Sequence, residues 1–443
     1  MLRRLLAGAM SAGVLVIAGS VPAPAASAAV PRLKAGVGKA DITPQTGYAL
    51  GGWTRADRTG QGAKGRLFAR ALVLERGGRK VALVQADLFM MPGGMLQQIG
   101  QILASRGFSE RNILISATHT HSGPAGFANF PILNTLAPSV QTANDPFSFA
   151  RLIQPSAADP MLYTFLTRQI STAIRRADDD RGQATAGWGS SKIVGLTQNR
   201  SLEAHLADHG VIKARGQGRV SDDPGGYIDT IDPDVNVLRV DKLKRVKGKL
   251  VRVPIGGWSS FANHGTVNKS EFQYYTEDHQ GSAMRVFEDR VRRSAKVPAR
   301  QEVLNVFSNS DEGDTSAGLD RSGPAASDYV GRVEGEAMLE AWNRAKRFTS
   351  RTPALDTRWT RVCFCGQEVQ DGQHVSSDSQ TGIPFLTGSE EGRGPLFDVT
   401  GKEFEDQRAP VSSDPRETRS PSPASVPACP TACRCSRSGA ARG

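Results

Sequence analysis

Residues 81–117 constrain the fold more than any other stretch of this chain. Val81–Asp87 (Val-Ala-Leu-Val-Gln-Ala-Asp) has the apolar run of a buried strand. Apolar residues then recur at helical spacing at Met95, Ile99, Ile102 and Leu103, and Gly107 supplies a stop. Asn112–Ala117 (Asn-Ile-Leu-Ile-Ser-Ala) is a second strand. Two strands joined by one helix over this distance predict a right-handed crossover and parallel pairing. The same signals return later: strands at Val235–Val240, Ile255–Asn263 and Val303–Phe307, a helix marked by Met284, Phe287 and Val291, and a long helix after Ser327 marked by Val330, Val333, Met338 and Trp342. Strands and helices mix throughout, so the predicted class is α/β (mixed α+β), with mixed sheets flanked by helices. Between Pro31 and Phe404 we find no internal repeat and no interdomain linker.

Three of these strands run directly into chemically capable residues. Asn112–Ala117 leads into Thr118-His119-Thr120-His121-Ser122-Gly123-Pro124, Ile255–Asn263 into His264, and Val303–Phe307 into a loop with Asp311, Glu312, Asp314 and Ser316. Ligands in α/β proteins gather at the carboxyl ends of strands, so the three clusters are expected to form one site. The chain has only 7 histidines. Alternate residues leaving a strand project the same way, so His119 and His121 can share a metal, or one can bind it while the other serves a substrate. A hydrogen-bonded histidine pair in a turn is the competing reading, and His264 alone reads as structural. The acidic loop lacks EF-hand spacing; a structural calcium or magnesium ion stays open. Ser316 is a nucleophile only if a base or metal activates it.

The ends differ from the body. Arg3 and Arg4, an apolar run from Leu5 to about Ala18 and the Ala26-Ser27-Ala28 sequence read as a cleavable signal peptide over residues 1–29 and imply secretion. The run is too short for a membrane span. All 5 cysteines lie at or after Cys363. From Arg408 to Gly443 the sizeable apolar residues are Val411 and Val426, and Arg, Pro, Ser and Ala dominate. Such a stretch cannot bury enough surface to order itself. We read 408–443 as a disordered or out-of-frame tail and 30–407 as one catalytic domain, incomplete at its C-terminal end. The net charge of +11 is dispersed among interleaved acids, and no recognition motif accompanies it, which argues against a nucleic-acid partner.

Taken together, the motifs resemble the neutral ceramidase family. The resemblance rests on Gly36-Val37-Gly38-Lys39-Ala40-Asp41-Ile42-Thr43-Pro44, Arg66–Leu72, the His-Thr-His-Ser-Gly-Pro-Ala-Gly run at His119–Gly126, Gln198-Asn199-Arg200-Ser201, Phe261-Ala262-Asn263-His264 and Gly313-Asp314-Thr315-Ser316. It covers roughly residues 35–400. It implies zinc held by His119 and His264, one ion per chain. It further implies that His121 polarises or protonates the reacting amide, that Arg200 bonds the substrate or its oxyanion, and that Ser316 attacks, with zinc-activated water as the rival attacker. The implied reaction is hydrolysis of a ceramide-like lipid, met at a membrane surface, to fatty acid and sphingosine. Phe127, Phe130, Ile132, Leu133 and Leu136 could line an acyl channel or pack in the core. Asp87 could support a zinc histidine or simply end its strand.

The family completes its zinc site with a Glu and a Tyr from farther along, and neither maps onto this chain; nor does the family's C-terminal immunoglobulin-like domain. Two other functions therefore stand beside ceramide hydrolysis. One is a lipid-binding relative without turnover, and the other is a zinc hydrolase of another amide or ester. Oligomeric state is open.

Overall fold

The structure, a computed structural model, describes residues 30–53, 58–128, 134, 158–202, 230–362, 364–370, 372–375 and short pieces between 380 and 410. Everything below belongs to the compact unit that begins at Arg32. The signal-peptide assignment, Phe130, Ile132, Leu133, Leu136 and residues 411–443 lie outside the described residues.

Strands β1 (Lys34–Asp41), β2 (Phe68–Arg76), β3 (Arg79–Ala86) and β4 (Ile113–Ala117), with helices α1 (Gly93–Ile102) and α2 (Pro160–Asp179), make a first half. A second half follows. It holds β5 (Gly182–Lys192), a short β6 (Gln198–Asn199), β7 (Asp234–Val246), β8 (Lys249–Phe261), α3 (Asp278–Ser294), β9 (Leu304–Asn309), a short β10 (Thr315–Ser316) and α4 (Pro324–Ala345). Eight strands form one sheet in the order β4-β3-β2-β1-β5-β7-β8-β9. The expected crossover is present: β3 and β4 pair in parallel around α1, from Ala82↔Ile113 to Ala86↔Ala117. α4 starts at Pro324, three residues before Ser327, because the proline occupies the first turn, where no amide donor is needed.

β1 and β5 pair only at Lys34↔Gln183 and Ala35↔Gly182, and beyond that join the sheet folds back on itself. Side-chain alternation shows the consequence. On β2, Ala69, Ala71 and Val73 face α1 and α2, whereas Leu72 and Leu74 share a core with Leu238, Val240, Ile255, Leu304 and Val306 from the other half. A third cluster joins Val235, Val237, Phe261 and Phe307 to Phe287 of α3 and to Met338 and Trp342 of α4. The result is four layers, helix–sheet–sheet–helix, with three apolar interfaces.

The two halves repeat one another, contrary to the sequence reading that found no repeat. Each runs through antiparallel strands, a helical crossover to a parallel edge strand, and a final helix that packs back on its first strand. The contact beneath the final helix is the shared signature. A Cβ on Gly38 of β1 would lie 2.5 Å from both the Ala173 oxygen and the Ala177 nitrogen of α2. A Cβ on Gly189 of β5 would lie 2.1 Å from the Ala341 oxygen and 2.6 Å from the Ala345 nitrogen of α4. Gly-x-Gly on the strand and Ala at i, i+4 on the helix let two backbones touch. Such a repeat lives in four small residues per half, too few to register as sequence similarity.

Arg408–Pro410 pairs antiparallel with Gln380–Gly382.

Candidate metal centre

The carboxyl ends of β4, β8 and β9 converge. Ser116 and Ser308 share a hydrogen bond at 2.8 Å, and the Asn309 amide donates to the Thr118 carbonyl at 2.8 Å. Thr120 then bridges Gly265 in parallel, and the His121 N–H donates to the Gly265 carbonyl at 3.0 Å. Gly265 is required there, because a Cβ would lie 2.4 Å from the His119 oxygen. His119 itself takes φ 60°, a left-handed conformation rare for a residue with a side chain. Strain of this kind persists only where surrounding contacts overdetermine it.

This backbone brings His119, His121 and His264 together as a group able to hold a metal ion. Their Nε2 atoms stand 2.9 Å (His119–His264), 3.2 Å (His119–His121) and 3.2 Å (His121–His264) apart. The sequence reading paired His119 with His264 and kept His121 for the substrate; in the structure His121 Nε2 joins the other two. The ring of His121 is locked from behind by Trp53, edge-on at 4.8 Å, and by Gly52, where a Cβ would reach the ring at 2.6 Å.

The far sides of the rings decide their tautomers. His119 Nδ1 lies 2.5 Å from the Phe89 carbonyl, and His264 Nδ1 lies 3.2 Å from the Glu312 carbonyl. A carbonyl only accepts, so both Nδ1 atoms carry the proton and both Nε2 atoms present lone pairs. Two lone pairs facing at 2.9 Å repel unless a positive centre lies between them. Three nitrogens about 2.0–2.1 Å from a tetrahedral ion would be about 3.3 Å apart, so the donor set fits such an ion in chemistry and spacing. Burial, reinforced by the charge of His264 though opposed by Glu312, brings the His119 pKa down to about 4. Burial and its two histidine neighbours hold His121 well below the ordinary value. Neutral imidazoles are the metal-binding form.

The other expected residues surround this point. Arg200 donates from its backbone to the Asp314 carbonyl (2.6 Å) and from Nε and Nη2 to the Gly313 carbonyl (3.0 and 2.6 Å). Its charge is felt by His119, His121 and Glu312. β10 pairs with β6, placing Ser316 opposite Gln198 and Thr315 opposite Asn199. Ser316 is fully buried; its Oγ accepts from the Gly318 N–H at 2.8 Å and lies 3.3 Å from Thr266 Oγ1. The preceding Thr315 carbonyl accepts from the His264 N–H at 2.9 Å, so the serine turn and the His264 segment share a bond.

Asp87 supports no histidine: it accepts from the Phe68 N–H and the Gln85 amide, and burial with the neighbouring Glu277 charge raises its pKa to about 7. Phe127 is fully buried, against Phe89, and reads as core. Sequence reasoning missed two things. Glu312 approaches both histidine Nδ1 atoms, at 3.1 Å (His264) and 3.9 Å (His119). His279 and Glu334 form a wholly buried pair at 2.9 Å, whose His279 Nε2 reaches the His264 carbonyl at 3.0 Å. Glu312 was visible as an acid within the loop after β9; the pair joins two helices 55 residues apart and left no local signal.

The chain is 26% identical over 382 residues to the neutral ceramidase of Pseudomonas aeruginosa, covering 82% of this chain and 50% of that protein. It is 24% identical over 388 residues to the neutral ceramidase of Mycobacterium tuberculosis, covering 82% and 54%. It thus spans about half the length of these relatives. Its fold matches a solved ceramidase complexed with C2 (TM-score 0.56, 23% identity, 72% of this chain and 45% of that one). It also matches the crystal structure of the Pseudomonas aeruginosa neutral ceramidase (TM-score 0.55, 23% identity, 72% and 46%). The sequence profile for neutral/alkaline non-lysosomal ceramidase, N-terminal, matches residues 33–383, and the chain belongs to that family.

Proposed function

We propose that this chain carries the catalytic region of a zinc-dependent amidohydrolase that cleaves the N-acyl bond of ceramide-like sphingolipids. The observation that carries the reading is the convergence of three histidine Nε2 atoms within 3.2 Å, in a chain of the ceramidase family. His119, His121 and His264 would hold the ion, which when bound would polarise the amide carbonyl and lower the pKa of water toward about 7. A ring nitrogen held 3.2 Å from two others is placed to face an ion, so the role on the reacting amide that the resemblance implied for His121 gives way to ligation.

Arg200 is anchored by the Gly313 and Asp314 carbonyls beside the histidines, where its guanidinium would stabilise charge developing on the carbonyl oxygen. Ser316, on the turn bonded to the His264 strand, is the candidate nucleophile. The substrate lipid would approach from a membrane surface, and export through residues 1–29 would place the protein outside the cytoplasm.

The test is zinc analysis of the dialysed protein together with fatty-acid release from an N-acylsphingosine and from a panel of other amides and esters. About one zinc per chain and hydrolysis that a chelator abolishes are expected. A protein that takes up no zinc and releases no fatty acid sinks the reading. Zinc uptake with turnover only on another amide or ester changes the substrate, and uptake with no turnover leaves a binding protein.

A further inference from the structure

We propose that Glu312 is the positioning residue of the metal centre, the residue that backs His264 at Nδ1 so that its Nε2 lone pair turns inward, with its carboxylate also beside the ring of His119. The inference rests on the metal reading above and names a residue that reading does not need.

Glu312 leaves β9 in the loop Asp311-Glu312-Gly313-Asp314. Its carbonyl oxygen and Oε2 lie 3.2 and 3.1 Å from His264 Nδ1, and Oε1 lies 3.9 Å from His119 Nδ1. One residue thus faces the outer nitrogen of two rings whose inner nitrogens converge. The neighbouring acids do not share the position. Asp311 is exposed, and Asp314 accepts from the Asn199 amide at 3.0 Å.

The side chain of Glu312 is only 16% exposed, and its Oε2 is buried without an aligned hydrogen-bond donor among the described residues. A buried carboxylate beside imidazoles is poorly balanced until a cation joins them. A metal-bound histidine whose other N–H meets a carboxylate or carbonyl keeps its tautomer and gains basicity; losing such a partner weakens metal binding about 10–100-fold.

The experiment compares the unsubstituted protein with Glu312→Ala, Glu312→Gln and Asp311→Ala. Each is stripped with chelator and titrated with Co2+ by its visible absorption, then with Zn2+ in competition. The expected result is a Kd raised about 10–100-fold in Glu312→Ala, partly restored in Glu312→Gln, which keeps an acceptor, and unchanged in Asp311→Ala. Urea unfolding of the metal-free forms should coincide. An unchanged Kd in Glu312→Ala overturns the proposal while leaving the metal centre standing. So does an equal loss in Asp311→Ala, which would mean a general charge effect, or a matching loss of metal-free stability, which would mean a structural role. An unsubstituted protein that binds neither ion overturns the metal centre and this inference together.

Discussion

The buried pair of His279 and Glu334 makes a quantitative claim about stability and pH. Both side chains are fully buried; Glu334 Oε2 lies 2.9 Å from His279 Nδ1, and Glu334 Oε1 accepts from the Asn263 amide at 2.6 Å. His279 Nε2 lies 3.0 Å from the His264 carbonyl, so both ring nitrogens face acceptors and both carry protons. Burial alone would lower the pKa of His279. The Glu334 charge and hydrogen bond, helped by Asp278 and the carbonyl, override it and raise the pKa to about 9.

Against an unfolded value near 6.5, the folded protein holds a proton that the unfolded chain releases between about pH 6.5 and 9. Stability from this group is therefore whole below pH 6.5 and falls by about 1.4 kcal/mol per pH unit, about 3 kcal/mol in all, as pH rises through 9. Glu334→Gln keeps the shape and removes the charge. It should cost about 3 kcal/mol at pH 6.5, the low end for breaking a buried pair, and close to nothing at pH 9.5, where the parent has lost the same term. Urea unfolding of both proteins with chelator present measures the difference, and every other titrating group is common to both. A cost that is the same at pH 6.5 and pH 9.5 would falsify the assignment of a charged His279.

Three further outcomes follow from the geometry. Gly189→Ala should destabilise the protein by at least about 3 kcal/mol in denaturant unfolding, because its methyl would sit 2.1 Å from the Ala341 oxygen. Gly93→Ala, with open space around the same atom, should be neutral or slightly stabilising; equal effects would discredit the close-contact account. His121→Ala should abolish stoichiometric zinc retention through dialysis, since two histidines remain where three converge; full retention would return His121 to the substrate side. Ser316→Ala should lower amide turnover at least about a hundredfold while zinc content stays constant, and a near-normal rate would remove serine from the chemistry.

Much of the architecture was legible along the chain because strands and helices print their periods locally. Val81–Asp87, the Met95–Leu103 spacing and Asn112–Ala117 give the parallel crossover directly. The link from strand ends to chemistry was equally legible: a strand that stops at His119, at His264 or before Ser316 delivers that residue to the same edge. The repeat was not legible, because it rests on Gly38 and Gly189 touching helices more than 130 residues away from Gly38 and more than 150 from Gly189.

Residue identity and order therefore determined the fold class, the family and the residues that gather at the centre. Only the tertiary structure decided how they are placed and which way they face. His121 turns toward His119 and His264 because Gly265, Gly52 and Trp53 leave its backbone and ring one position, and those residues arrive from distant segments. Glu312 and the His279–Glu334 pair matter because burial strengthens charge and removes water as an alternative partner. Burial and direction are properties of the packed chain, and no local pattern of residues encodes them.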